Sequence, residues 1–338
     1  MFTQMTSPEV SILVPSFNQK HLLPIALESV VEQTLKSIEI IVGDDSSTDG
    51  TDELLKTLAS RHPTLRFFIN SVNLGRVRNY RKLLNSAKGE FVMILDADDY
   101  LLDPSWVEVA LDLAKKKNLG IVFGKFSILF ESTGKSFAPH PNMSQKKIFR
   151  GRDLFLRYPQ NGIALTHVGA LFRRQQALDL DFYRKDIPMS DFESLFRLLL
   201  RVDVGFLPIT VFVYRKHGAN ITSQFDPVEW IKRELWINSV AQDAFLLLGQ
   251  SVAEKWRRQS RYRLLIGGLG IFCVLGNIPA LKLVKDWASD RGMRIGAVTA
   301  LKLFVLYLMS HSKLLLRLLR RFSRQPALLY DLELRRFR

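Results

Sequence analysis

The sequence predicts an α/β fold built on a parallel sheet with helices on both faces. Three observations carry this. Strand and helix periodicities alternate through residues 9–120. The strands are predominantly apolar runs rather than alternating, with the fourth apolar throughout, as expected when both faces of a sheet are covered. The 338 residues are 47% apolar and 24% charged, a globular rather than a disordered composition.

The elements follow in order. Residues 10–14 (VSILV) form a buried strand that Pro15 is expected to stop. Residues 22–35 carry apolar side chains at helical spacing, with Leu27, Val30 and Val31 on one face. Residues 38–42 are a second strand. Residues 51–60 are a helix with Thr48 and Asp49 as capping candidates. Residues 65–69 are a third strand, and a helix over 77–88 is closed by Gly89. Residues 91–95 (FVMIL) are a fourth strand, central in the sheet by its wholly apolar character. A helix over 106–117 ends the alternation. Beyond it, residues 121–130 and 206–214 read as strands and 191–202 as a helix. Residues 132–150 read as a polar, irregular loop, and the chain from about Pro227 is mostly helical.

Charge divides the chain more sharply than composition does. The net charge is +15. Residues 1–230 hold 28 basic and 26 acidic side chains, whereas residues 231–338 hold 20 and 7. A single cysteine, Cys273, excludes an internal disulfide framework and a multi-cysteine zinc site, and fits a reducing compartment. The first 30 residues contain Glu9 and Glu28 and lack a basic segment followed by an apolar run, so no secretory leader is expected.

Two acidic clusters follow strands. Asp96, Asp98 and Asp99 come directly after the fourth strand, and Asp44, Asp45 and Asp49 lie just past the second. In open parallel sheets ligands bind beyond the carboxyl ends of strands. A cluster of carboxylates repels itself unless a cation is present, and short hard oxygen ligands suit Mg²⁺ or Mn²⁺. The competing account is solvated turn acids that cap helices. Two such loops on one strand edge favour a site for a polar ligand and its metal.

The chain resembles a family-2 glycosyltransferase of the GT-A (Rossmann-like) fold. The matching pieces occur in order: Val10 to Asn18 (VSILVPSFN), Ser29 to Thr34 (SVVEQT), Asp44 to Thr51 (DDSSTDGT), Asn73-Leu74-Gly75 with Arg78-Asn79, and Asp96-Ala97-Asp98-Asp99. Ser190-Asp191-Phe192 and Tyr214-Arg215-Lys216-His217-Gly218 complete the set, so the resemblance covers roughly residues 8–222. It implies a catalytic domain over 1–226; residues 227–338, which it does not cover, are expected from their own pattern to be a helical, basic, membrane-associating region. It also implies inverting transfer of a sugar from a nucleotide-diphosphate donor, a UDP-sugar by preference, to an acceptor hydroxyl. Carried over, Asp45 would accept the base N–H, and Pro15, Phe17 and Asn18 would line the nucleotide pocket. Asn73 and Arg78 fall in a donor-side motif. Asp96 would face the ribose or sugar, Asp98 would bind the divalent metal, and Asp99 would sit beside them. His217 is a candidate for a metal or phosphate contact, and His167 for the donor sugar or acceptor. Arg76 and Arg78 are candidates for the donor phosphate or sugar, with plain surface arginines as the alternative. Inversion needs one general base, which the resemblance places at Asp191, with Glu193 as second candidate and a first-turn helix acid as the competing account. Ser190 departs from the Glu common at that place.

The last region carries its own signal. On a helical wheel, Lys302, Lys313, Arg317, Arg320, Arg321 and Arg324 occupy a 100° arc, and leucines fill most of the rest. A wide apolar face with a basic stripe fits a helix lying in an anionic membrane surface, and a helix packed on the catalytic domain is the alternative. Residues 264–281 are uncharged over 18 positions but hold four glycines and Pro279, which fits a packed or interfacial helix better than a span. The expected location is peripheral, on the cytoplasmic face of the cell membrane, with a lipid-linked or surface-glycan acceptor and no nucleic-acid partner. A nucleotidyltransferase is the competing enzyme class. It calls for a Gly-rich phosphate loop where Pro15-Ser16-Phe17-Asn18 stands. A non-catalytic membrane or nucleic-acid binder is the third reading, and the apolar face of the tail disfavours nucleic acid.

Overall fold

The computed structural model describes residues 7–138, 145–161, 165–218, 220, 226–296 and 300. The chain divides into two compact units, residues 1–158 with 162–217, and residues 159–161 with 218–338.

The first unit opens with the alternation read from the sequence: β1 (Val10–Ser16), α1 (Leu23–Val31), β2 (Ile38–Asp44), α2 (Thr51–Arg61), β3 (Leu65–Ile69), α3 (Arg76–Ser86) and β4 (Phe91–Ile94). Then come β5 (Tyr100–Leu101), α4 (Trp106–Lys116), β6 (Ile121–Phe130), β7 (Lys135–Phe137), β8 (Lys147–Arg150), α5 (Gly151–Asn161), β9 (Leu171–Arg173), α6 (Arg174–Asp179), α7 (Ser190–Leu199) and β10 (Asp203–Lys216).

The sheet is mixed rather than wholly parallel. Its order is β3-β2-β1-β4-β9-β6-β10-β5, with β7 beside β6 and β8 beside β10. β1 to β4 are parallel, but β9 runs antiparallel to both β4 and β6, and β5 antiparallel to β10. β9 is only three residues long, too short to carry a period of its own. The expected loop over 132–150 holds β7 and β8, edge strands whose polar side chains suit their exposure.

Pro15 does not stop β1, which runs on to Ser16 and pairs Pro15 with Gly43 of β2. The β4 pairing ends at Leu13, whose carbonyl accepts from Leu95 N–H. Strand alternation turns Pro15 to the same side, just past the last β4 partner, where its missing N–H leaves no bond unmade. The helix expected over 22–35 ends at Val31, and α2 begins after Gly50 (φ +84°) rather than after Thr48 or Asp49. Asp49 still caps, because its carboxylate accepts the Thr51 N–H.

The sheet buries both faces. Val10, Ile12 and Val14, Ile40 and Val42, and Phe91 and Met93 pack with Leu23, Ala26, Leu27 and Val30 of α1 and with Trp106, Val107 and Ala110 of α4. The alternate residues Leu13, Ile41, Val92 and Ile94 are equally buried, and α3 lies against β1 and β2. Truncating a large aliphatic such as Ile12 to Ala in such a core costs about 2–5 kcal/mol.

The second unit is helical: α8 (Pro227–Lys232), α9 (Glu234–Leu248), α10 (Gln250–Leu275) and α11 (Ile278–Ser289). Asp226 caps α8 by accepting from Glu229 N–H, with Pro227 at the first turn. The uncharged run over 264–281 is not one helix. Gly276 (φ +65°) ends α10, Asn277 caps α11 and Pro279 opens it. Gly267 and Gly268 of α10 lie under Trp230 of α8, so a Cβ at Gly268 would come within 2.5 Å of the indole. No helix among the described residues is long and apolar enough to cross a membrane. The basic stripe over 302–324 lies outside the described residues.

Candidate active site

β2, β1 and β4 are adjacent and parallel, so the segments that follow them meet on one edge of the sheet. After β1, Pro15 is buried in the strand, while Phe17 is exposed and Asn18 adopts φ +52°. The Asn18 N–H donates to Ser47 Oγ, and its side-chain oxygen accepts from Thr48 N–H. The β1 and β2 loops are thereby tied together.

After β2, Asp45 is 3% exposed. Its carboxylate accepts from Asn70 Nδ2 (2.8 Å), Leu74 N–H (2.8 Å) and Gly75 N–H (2.9 Å). Gly75 sits at φ +82°, ψ 154°, a conformation that glycine adopts freely. Asn73 caps the same turn by accepting from Gly75 N–H. A carboxylate has about four lone-pair positions, so Asp45 retains capacity for about one more donor. Arg78 is exposed on α3.

After β4, a tight turn closed by Asp99 N–H on the Asp96 carbonyl gathers three carboxylates. One oxygen from each of Asp96, Asp98 and Asp99 falls within 4.8 Å of the others. Tyr80 of α3 donates to Asp96 Oδ1 at 2.6 Å. His217 Nε2 stands 3.2 Å from Asp98 Oδ2. The β5–β10 pairing, Val213 opposite Tyr100, brings Arg215 alongside. The Arg215 N–H donates to Asp99 Oδ1 (3.0 Å), and its guanidinium donates to the Asp98 carbonyl and to the Leu22 carbonyl.

The electrostatics are those of crowded like charges. Burial, then the charges of Asp98 and Asp96, pushes the Asp99 carboxyl well above the usual carboxylate range. Burial and Asp96 raise Asp98 as well, against the opposing pull of His217. Asp99 Oδ2 is buried and has no hydrogen-bond partner among the described residues. A divalent cation fits this donor set, because it supplies the missing partner and the missing counter-charge together. Asp98 and Asp99 are the residues that would hold it, with Asp96 in the same cluster and His217 in reach through Asp98.

Asp191 lies in the first turn of α7, two residues after Met189, which adopts the left-handed region (φ +61°). It is half-buried and makes no hydrogen bond or ion pair among the described residues. Glu193 differs. It is buried and paired with Arg184 (2.9 Å) and Arg197 (3.5 Å), so it reads as a structural acid. Asp191 and Asp96 share a neighbour in Arg76. Crowding works against the Arg76 charge, but the Tyr80 hydroxyl, Asp191 and Asp96 outweigh it and raise its pKa. Tyr183 is raised by burial, then by Asp191 and Asp96. His167 is buried with its Nδ1 3.1 Å from the Tyr183 hydroxyl. Tyr80, Tyr183 and Arg215 were not predicted as site residues. The signals present were the placement of Tyr80 one turn after Arg76 and the adjacency of Arg215 to His217.

The fold and the site define a Rossmann-like α/β domain with a cation-ready acidic strand edge. Residues 11–178 match the family described as glycosyl transferase family 2, and this part of the chain belongs to it. Among curated relatives, the UDP-Glc:alpha-D-GlcNAc-diphosphoundecaprenol beta-1,3-glucosyltransferase WfgD of Escherichia coli is 30% identical over 132 residues, 38% of this chain and 51% of that protein. The match spans about 60% of the length of the first curated relatives. The fold is shared with S. aureus TarS 1-349 in complex with UDP, at TM-score 0.61 and 14% identity over 96% of this chain and 87% of that one. It is also shared with the mannosyltransferase PcManGT from Pyrobaculum calidifontis in complex with GDP-Man and Mn²⁺, at TM-score 0.57 and 18% identity over 97% and 86%.

Proposed function

We propose that the chain is an inverting, metal-dependent glycosyltransferase. It moves a hexosyl group from a nucleotide-diphosphate donor, a UDP-sugar by preference, to a hydroxyl of a lipid-linked or cell-surface glycan. The single observation that carries this is the Asp96–Asp98–Asp99 cluster past β4, with Asp191 in the first turn of α7 and Arg76 within electrostatic reach of both Asp96 and Asp191. The relatives support the donor and acceptor classes, since WfgD is named for UDP-Glc and a diphosphoundecaprenol acceptor, and TarS was solved with UDP. The PcManGT complex with Mn²⁺ supports a divalent cation.

In this reading Asp45 accepts the base N–H with its remaining lone pair. Pro15, Phe17, Asn18, Asn73 and Arg78 border the nucleotide, and Asp96 accepts ribose or sugar hydroxyls. A divalent cation held by Asp98 and Asp99 would supply Lewis-acid stabilisation of the departing diphosphate. Asp191, which makes no hydrogen bond or ion pair among the described residues, takes the proton of the acceptor hydroxyl. The acceptor oxygen bonds to the anomeric carbon as the bond to the diphosphate oxygen breaks, and the nucleoside diphosphate leaves. One base and one displacement give inversion. The basic stripe over 302–324 is assigned to an anionic membrane surface, which would place the enzyme peripherally on the cytoplasmic face.

Nucleotide-sugar turnover screened with Mg²⁺ and Mn²⁺ tests the assignment. Donor-dependent transfer by the wild type, lost in Asp98→Asn with an unchanged melting temperature, is expected. Full activity of that variant would remove the metal-holding role. Flotation with anionic liposomes, compared with neutral ones, tests the membrane assignment.

A further inference from the structure

Tyr80 is 1% exposed, yet its hydroxyl reaches the half-buried Asp96 and donates to Oδ1 at 2.6 Å. The phenol ring is held on two sides. It stacks on Tyr183 with centroids 5.1 Å apart and an interplanar angle of 25°. It meets His167 at 5.1 Å and 80°, edge to face. His167 and Tyr183 are themselves joined, imidazole Nδ1 to hydroxyl, at 3.1 Å.

The backbone of Tyr183 is fixed in turn. It lies in the left-handed region at φ +59°, and its N–H donates to Ser194 Oγ at 2.9 Å. Ser194 is on α7, one turn beyond Asp191, so the two share a helix face. The packing therefore runs from Asp96 through Tyr80 and Tyr183 to the helix that carries Asp191. A phenol clamped in this way has one orientation available, and its only proton goes to Asp96. A short aspartate on a tight turn without such a donor would sample several rotamers.

We propose that Tyr80 is a positioning residue for the donor: its hydroxyl fixes the Asp96 carboxylate in the rotamer that presents Oδ2 to ribose or sugar hydroxyls. Tyr80 does not touch the donor and acts through Asp96. This rests on the reading of Asp96 as a donor ligand. The bond is of the charge-assisted O–H···O⁻ kind, among the stronger hydrogen bonds, and its effect falls on binding rather than on proton transfer.

The test uses the full chain and two variants. Tyr80→Phe keeps the ring, the stack and the burial and deletes only the hydroxyl that reaches Asp96. Tyr262→Phe deletes an exposed phenol hydroxyl on α10 of the second unit and serves as the control. UDP and GDP, each with Mn²⁺, are titrated calorimetrically, and donor KM, kcat and Tm are measured with the active nucleotide sugar. Tyr80→Phe is expected to weaken nucleotide-sugar affinity and raise donor KM about tenfold, which is about 1.4 kcal/mol. Its kcat should stay within about twofold and its Tm at the wild-type value. Tyr262→Phe should leave donor KM within about twofold of wild type. Wild-type donor KM in Tyr80→Phe overturns the proposal. So does a loss shared equally by both variants and matched by a fall in Tm, since that is a packing effect. A wild-type chain that neither binds the nucleotides nor turns over a donor overturns the donor reading itself, and the role of Tyr80 with it.

Discussion

Two buried carboxylate sites in this chain have opposite electrostatics. Glu234, at the start of α9, accepts from Trp287 Nε1 (3.0 Å) and Arg291 Nε (2.8 Å), and Arg261 Nε stands 2.7 Å away. Burial works against its charge, but the hydrogen bonds from Arg291 and Trp287 and the charges of Arg261 and Arg291 outweigh it and hold its carboxyl below the ordinary value. Asp98 and Asp99 are raised instead, first by burial and then by neighbouring carboxylates, Asp96 acting on Asp98 and both Asp98 and Asp96 acting on Asp99. The first site is complete within its own helices. The second carries a deficit that a cation removes. The difference separates a site that stabilises the fold from one that is held ready for a ligand, and functional sites commonly carry such unresolved charge.

The comparison breaks first on activity. Chelating divalent ions, or changing Asp98 to Asn, is expected to lower transfer by about a thousandfold or more, since diphosphate stabilisation is a dominant electrostatic effect. Rates at saturating donor with added Mn²⁺ check this. Glu234→Ala is expected to cost about 3 kcal/mol of stability, because it leaves Arg261 and Arg291 without their shared partner. Urea unfolding of the variant reads it directly.

Asp99→Asn should move stability the other way. It keeps an oxygen for the Arg215 N–H while removing one of three crowded charges, so metal-free protein gains about 1 kcal/mol at neutral pH. Mn²⁺ should then raise the melting temperature of wild type more than that of the variant. The smallest effect concerns pH. Glu234 has a folded-state pKa below its ordinary value near 4.5. Its contribution is therefore present above that value and lost as pH falls through the lower folded value. Glu234→Gln should lack this part of the acid-unfolding limb.

Much of this was legible in the chain itself. The strands β1 to β4 announced themselves as predominantly apolar runs, and each ends where a polar cluster begins. The acids Asp96, Asp98 and Asp99 stood out because three carboxylates follow such a run directly. The sequence left Asp191 and Glu193 as rivals two residues apart. In the fold they differ: Arg184 and Arg197 close on Glu193, whereas Asp191 makes no hydrogen bond or ion pair among the described residues. Tyr80, His167 and Tyr183 are separated along the chain and meet only in the fold, so no local pattern marks them as a cluster. The antiparallel β9 escaped because three residues are too few to show a period. Pro15 misled because its effect on a strand depends on which neighbour has already ended.

Asp191→Asn tests the central claim most directly. The variant keeps the shape of the side chain and removes only its ability to take a proton. Titrated with UDP and Mn²⁺ it should bind as wild type does, while transfer from the active nucleotide sugar falls at least about a hundredfold. Transfer at the wild-type rate would contradict the account, because the displacement would then draw its base from elsewhere.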